Sequence, residues 1–254
     1  MKLTADDAST LVLPQTTTSL IINVISLISA SYGLNRASAL PLPPTLAKAG
    51  DKQFLTNISV IATILSNIAG ICNYFIQRRQ HKDYKIGYPC DGKKRANFVS
   101  RHLLLPLALV LETIVPLVYW PLRLFFINLI MQGADEVDHY PIPVLVDVAI
   151  HLFPFIALFA DHYLSGSDNK FILSNSVALV VVTTLGIAYN RWLAFIIDFE
   201  AGQKNPYPFL DVREPFRSVI FACVTTVAWG CYALYQKYPP RRELPINLGE
   251  KKLL

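Results

Sequence analysis

Asp147 and His151 stand four residues apart in PVLVDVAIHLFPFIALFADHYL, an otherwise apolar run. At that spacing a carboxylate and an imidazole share one helical face and can hydrogen-bond. A neutral imidazole accepts a proton, and the carboxylate can fix which ring nitrogen carries the hydrogen. That is the chemistry of a general base. Ionisable groups so deep in an apolar segment are costly unless paired or functional, so a buried pair holding helices in register is the alternative. The residues alone leave both readings open.

A second polar set lies in the stretch that begins KQFLTNIS. Thr56, Ser59, Thr63, Ser66, Asn67 and Gly70 recur at helical spacing and keep to one face. A hydroxyl on that face becomes a nucleophile only with an activating base beside it. Small and hydroxyl residues in such a row otherwise make a seam where membrane helices approach and hydrogen-bond, and spacing alone favours the seam. Glu112 and Arg191 are two further charges within apolar runs. Glu112 needs a partner. Arg191 is expected to snorkel to the interface, with pairing to Asp147 or to a substrate carboxylate as the alternatives. Asp161 and His162, at the far end of their run, are expected to be interfacial.

The elements that position these residues follow from composition. Of 254 residues 53% are hydrophobic and 16% charged, whereas soluble domains carry nearer a quarter charged residues. Six stretches, at about 17–34, 54–77, 102–121, 143–164, 171–194 and 216–236, reach the roughly 18–20 apolar residues a crossing helix needs. The expected fold is all-α: a polytopic transmembrane helical bundle over residues 17–236, with a short segment 1–16 before it and a basic tail 237–254 after it. The first stretch is the weakest, diluted by Asn23, Ser26, Ser29 and Ser31.

The net charge of +5 is no nucleic-acid footprint, because the cations cluster between the spans. Eight, Arg78 to Arg101, follow the second span and five lie in the tail; with Lys2 and Lys170 that makes fifteen on one side against seven on the other. The positive-inside rule then places both termini in the cytosol. Lys251 and Lys252, third and fourth from the end, resemble a dilysine address that coat proteins read for return to the endoplasmic reticulum. Cys72, Cys90, Cys223 and Cys231 form no CxxC pair, so neither a disulfide framework nor a metal site is expected.

KQFLT at the head of the second span, the Arg101-to-Trp120 stretch, the His of DVAIHLFPF and PYPFL at 206–210, in that order, resemble the androgen-induced/androgen-dependent membrane protein family. The resemblance runs from about residue 50 to 235 and is to a fungal-type member. It implies an intramembrane threonine hydrolase of fatty acid esters of hydroxy fatty acids, without a cofactor, with Thr56 as nucleophile and His151 as catalytic histidine. This chain departs from the animal members in its short His151–Pro154 spacing and in Asp147, where they carry Asn. Asp147 would then orient the base, while Asn57 and Asn190 are candidate donors to a developing oxyanion. The partners implied are membrane lipids and the ester itself. A non-enzymatic transporter or lipid-binding scaffold is the alternative, since intramembrane charges also mark ion routes.

Overall fold

The computed structural model describes residues 15–79, 91–132, 142–165 and 170–240. Lys251 and Lys252 lie outside them, as do Cys90 and most of the two terminal segments. Six helices are long and apolar enough to cross a membrane. They comprise α1 (Thr17–Ser38), α2 (Leu55–Arg79), α3 (Leu105–Phe125), the broken pair α4 (Val144–His151) and α5 (Phe153–Leu164), α6 (Asn175–Ile196) and α7 (Phe216–Lys237). The protein is an all-α, multi-pass membrane protein.

The first stretch, weak by hydropathy, forms a full helix because its polar residues face inward. Thr16 caps it by accepting from the Ser19 N–H. Ser19, Asn23, Ser26, Ala30 and Gly33 make up its buried face, and that face packs on α2, α4 and α5. Asn67 donates to Ser26 at 2.8 Å. Gly70 lets Asn23 approach so closely that an added Cβ would lie 2.7 Å from its Oδ1. The seam expected of the α2 polar row is present, with Ser59, Thr63, Ser66 and Asn67 all buried.

One expectation is corrected at the other end of the bundle. The third crossing begins well before residue 102: an α-helical turn, Asp91–Asn97, and a π-helical turn, Phe98–Leu104, lead into α3. Arg101 is therefore no loop cation but sits inside the helix, fully buried and paired with Asp161. Asp161 and His162 are buried inside the bundle, and the Arg101 guanidinium and the Ser19 hydroxyl both donate to the Asp161 carboxylate. A buried ion pair is tolerated when each charge has its partner and further hydrogen bonds.

The fourth crossing breaks at Leu152, whose φ of −138° leaves the helical region. Pro154 explains the break, since it offers no N–H to the preceding turn and its ring crowds it. His151 thus ends α4 at a kink. On the outside, α6 packs along α7 and α7 along α3. Val180, Ile187 and Phe195 of α6 are exposed, as suits a helix bathed in lipid.

Candidate active site

Thr56 and His151 line one cavity of about 160 Å³. They come from the first turn of α2 and the last residue of α4, and are 7% and 5% exposed. Asn57, Tyr119, Gln132 and Tyr207 share the wall. Thr56, Tyr119 and Tyr207 also line a second, larger cavity of about 350 Å³, otherwise almost wholly apolar, with walls from α3, α6 and α7. Thr56 stands where the two meet.

The DKQFLT segment is tied down on several sides. The chain leaves α1 through Leu40–Pro43, turns at Gly50 with φ +64°, and makes a 3-10 turn over Asp51–Gln53. The buried Gln53 amide donates to the carbonyls of Leu46 and Gly50 at 2.8 and 2.9 Å. Tyr189 donates to the Gln53 carbonyl at 2.8 Å, and Trp192 to that of Lys52 at 3.0 Å. The Asn57 amide returns to the Asp51 carbonyl at 2.9 Å. Those bonds fix where α2 starts, and so fix Thr56 in its first turn.

The first N–H groups of a helix have no intrahelical acceptor. At α2 the Leu55 N–H donates to the Tyr207 hydroxyl oxygen at 3.1 Å, and the same oxygen meets the Thr56 N–H and hydroxyl. Tyr207 is held by an edge contact with Phe54 and by stacking on Phe209. Its surroundings push its hydroxyl above the usual phenol range by desolvation, against the pull of the Thr56 and Leu55 bonds. It therefore keeps its proton at neutral pH and can donate it.

His151 is clamped. Its Nδ1 faces the Asp147 carboxylate at 2.8 Å and the Asp147 carbonyl at 3.2 Å. Both are acceptors, so Nδ1 carries the hydrogen and Nε2 keeps its lone pair. Nε2 has no protein partner among the described residues. The Tyr119 ring stacks on the imidazole at 3.5 Å, nearly parallel, and its hydroxyl donates to Asp147 Oδ1 at 2.5 Å. Arg123 Nε donates to Asp147 Oδ2 at 2.6 Å. Three donors on a fully buried carboxylate fix the imidazole in position and tautomer.

The partner of Asp147 is therefore Arg123 and not Arg191. Arg191 is exposed on α6, and Arg123 reaches the carboxylate because the last turn of α3 lies against α4. Asn190 lines neither cavity. Asn57 does reach the site, with its amide already engaged by Asp51. Glu112 accepts from Thr63 at 3.0 Å, away from both cavities. Tyr119, Arg123 and Tyr207 are the contributors that sequence reasoning missed. Tyr119 and Tyr207 fell inside the motifs that carried the resemblance but had no pattern that assigned them a task.

A family model described as FAR-17a/AIG1-like protein matches residues 18–238. The chain is 52% identical over 222 residues to the UPF0641 membrane protein YHR140W of Saccharomyces cerevisiae, covering 87% of this chain and 90% of that one. It is 25% identical over 190 residues to the UPF0641 membrane protein PJ4664.05 of Schizosaccharomyces pombe, covering 74% of each. No solved structure matches the chain.

Proposed function

From the premise that this chain belongs to the FAR-17a/AIG1-like family, we propose that it is an intramembrane lipid ester hydrolase. Thr56 is the nucleophile and His151 the base, and the substrate is a fatty acid ester of a hydroxy fatty acid, as the sequence resemblance implies. The observation that carries the reading is the shared cavity. A threonine and a histidine whose Nε2 has no partner among the described residues line one space, and a fully buried carboxylate holds the other ring nitrogen.

The chemistry runs in two halves. The Thr56 hydroxyl attacks the ester carbonyl as Nε2 takes its proton, and the alkoxide then leaves with that proton. Water, deprotonated by the same nitrogen, cleaves the acyl-threonine and returns the proton to Thr56. Thr56 and His151 make no direct hydrogen bond; such pairs often lie apart until substrate closes them together. The Tyr207 hydroxyl, at the first turn of α2, is the candidate donor to the oxyanion, and the helix dipole favours negative charge there.

The basic loops support both termini on the cytosolic side. The start of α2, the end of α3 and the start of α4 then face the lumen, and the address read by coat proteins at Lys251 and Lys252 supports the endoplasmic reticulum. A transporter or lipid scaffold is the second reading. It rests on Glu112, whose Oε2 is buried without a hydrogen-bond partner among the described residues.

The test is hydrolysis and fluorophosphonate labelling by the purified protein. Both are expected in the wild type, with labelling lost in Thr56→Ala and hydrolysis lost in Thr56→Ala and His151→Ala. Wild-type rates in either variant would overturn the hydrolase, and ion or solute flux into proteoliposomes would then favour transport.

A further inference from the structure

The base sits on one side of the nucleophile only. Thr56 faces both cavities, whereas His151 lines only the smaller one. In an acyl-transfer cycle the base hands its proton to the departing alkoxide, then takes one from the water that enters in its place. Leaving alcohol and water must therefore occupy the histidine's side. Taking the hydrolase reading as given, we infer that the two cavities divide the ester: the acyl chain lies in the larger cavity, and the alcohol leaves through the smaller.

The shapes agree with that division. Along α3 and the π-helical turn before it the larger cavity runs from Tyr119 to Leu103, roughly 24 Å at 1.5 Å per residue. One leaflet of acyl chain spans only about 15 Å, so an unbranched long chain fits extended and deeper than its leaflet. The walls offer such a chain what lipid offers, with Leu111, Val115, Val181 and Leu185 along the length. The cavity lies between α3 and α6, and α6 is lipid-facing, so a chain can enter sideways from the bilayer. The smaller cavity carries the polar groups, among them Asn57 and Gln132 beside His151. Those suit a hydroxyl product and an incoming water.

Balance is kept in each half. The Thr56 Oγ1–acyl bond forms as the ester C–O bond breaks, and the proton goes from Thr56 through His151 to the alcohol. The water–acyl bond then forms as the Oγ1–acyl bond breaks, and the proton goes from water through His151 back to Thr56. Only the acyl chain stays bound through both halves. The cavity without the base is the one where it can stay while alcohol and water exchange.

Val181 and Leu111 each lie eight residues from the tyrosine that marks the reactive end of their helix, Tyr189 and Tyr119, roughly 12 Å along the slot. Val181→Trp or Leu111→Trp fills it at that depth. The experiment compares kcat/KM for hexadecanoyl and butanoyl esters of one alcohol. The long-to-short ratio is expected to fall about tenfold or more, the scale on which an apolar pocket discriminates. Leu42→Trp, in the smaller cavity, is expected to leave that ratio alone and to lower the ratio between large and small alcohols of one acyl group. The ratios use each variant as its own control for folding. The reverse assignment of the two ratios, or no movement of either, overturns the division while leaving the hydrolase standing.

A second measurement needs no turnover. Hexadecanoic acid with a terminal diazirine, photolysed on Thr56→Ala in vesicles, is expected to label α3 or α6 deeper than Leu111 and Val181, near Leu107 and Ala178. Label in Leu40–Pro43 instead overturns the inference. Label in the slot with no ester cleaved by the wild type would end the hydrolase reading and keep the acyl site.

Discussion

Asp147→Ala removes the acceptor on which three donors converge, and its cost can be worked from the geometry. Arg123 loses a buried carboxylate at 2.6 Å, Tyr119 one at 2.5 Å and His151 one at 2.8 Å. Breaking a buried ion pair by removing one partner costs about 3–5 kcal/mol. The Arg123 side chain keeps 18% exposure, so water recovers part of that, and about 3 kcal/mol remains from the pair. The lost Tyr119 hydrogen bond adds about 1 kcal/mol. At roughly 2–4 °C per kcal/mol for a chain of this size, the unfolding midpoint drops by about 10 °C. Thermal unfolding of the purified protein, followed by tryptophan fluorescence, measures it. Arg123→Ala alone strands a carboxylate with no exposure, so the double variant should cost less than the sum by about 1–3 kcal/mol. Midpoints that fall by less than about 2 °C, or costs that add to within about 0.5 kcal/mol, would refute the clamp. Ester hydrolysis by Asp147→Ala should fall by up to about 10⁴, because only the longer bond to the backbone carbonyl of residue 147 then holds the ring tautomer that leaves Nε2 able to take a proton.

Tyr207→Phe should lower kcat by about 10²–10³ with little change in KM, since it removes the hydroxyl proposed as oxyanion donor; an equal loss with Tyr207→Phe and Tyr207→Leu in KM alone would mean the ring only packs. Gly70→Ala should destabilise the protein by about 1–3 kcal/mol, because its Cβ would lie 2.7 Å from Asn23 Oδ1, and Gly70→Ala combined with Asn23→Ala should recover most of that midpoint. A combined variant no more stable than Gly70→Ala would place the strain elsewhere.

The crossing helices were legible because burial in lipid is a demand on composition, and composition is written along the chain. Even the weak first stretch obeyed it once its polar residues turned inward. The i, i+4 pairing of Asp147 with His151 was legible too, since it is local to one helical turn. The π-helical turn that buries Arg101 was not, because a hydropathy window reads a cation as the end of a span. Its partner Asp161 lies 60 residues away, and only packing brings the two together. The same holds at the site. Arg191 has the right charge and depth for Asp147, but α6 stands on the far side of the larger cavity, and Arg123 reaches the carboxylate because α3 packs on α4. Tyr207 reaches Thr56 from 151 positions along the chain, through a loop whose course no period encodes. Residue types and local spacing thus determined where the helices run and which polar groups share a helical face. Tertiary structure decided which charges are partnered, and which of the two cavities beside Thr56 holds His151.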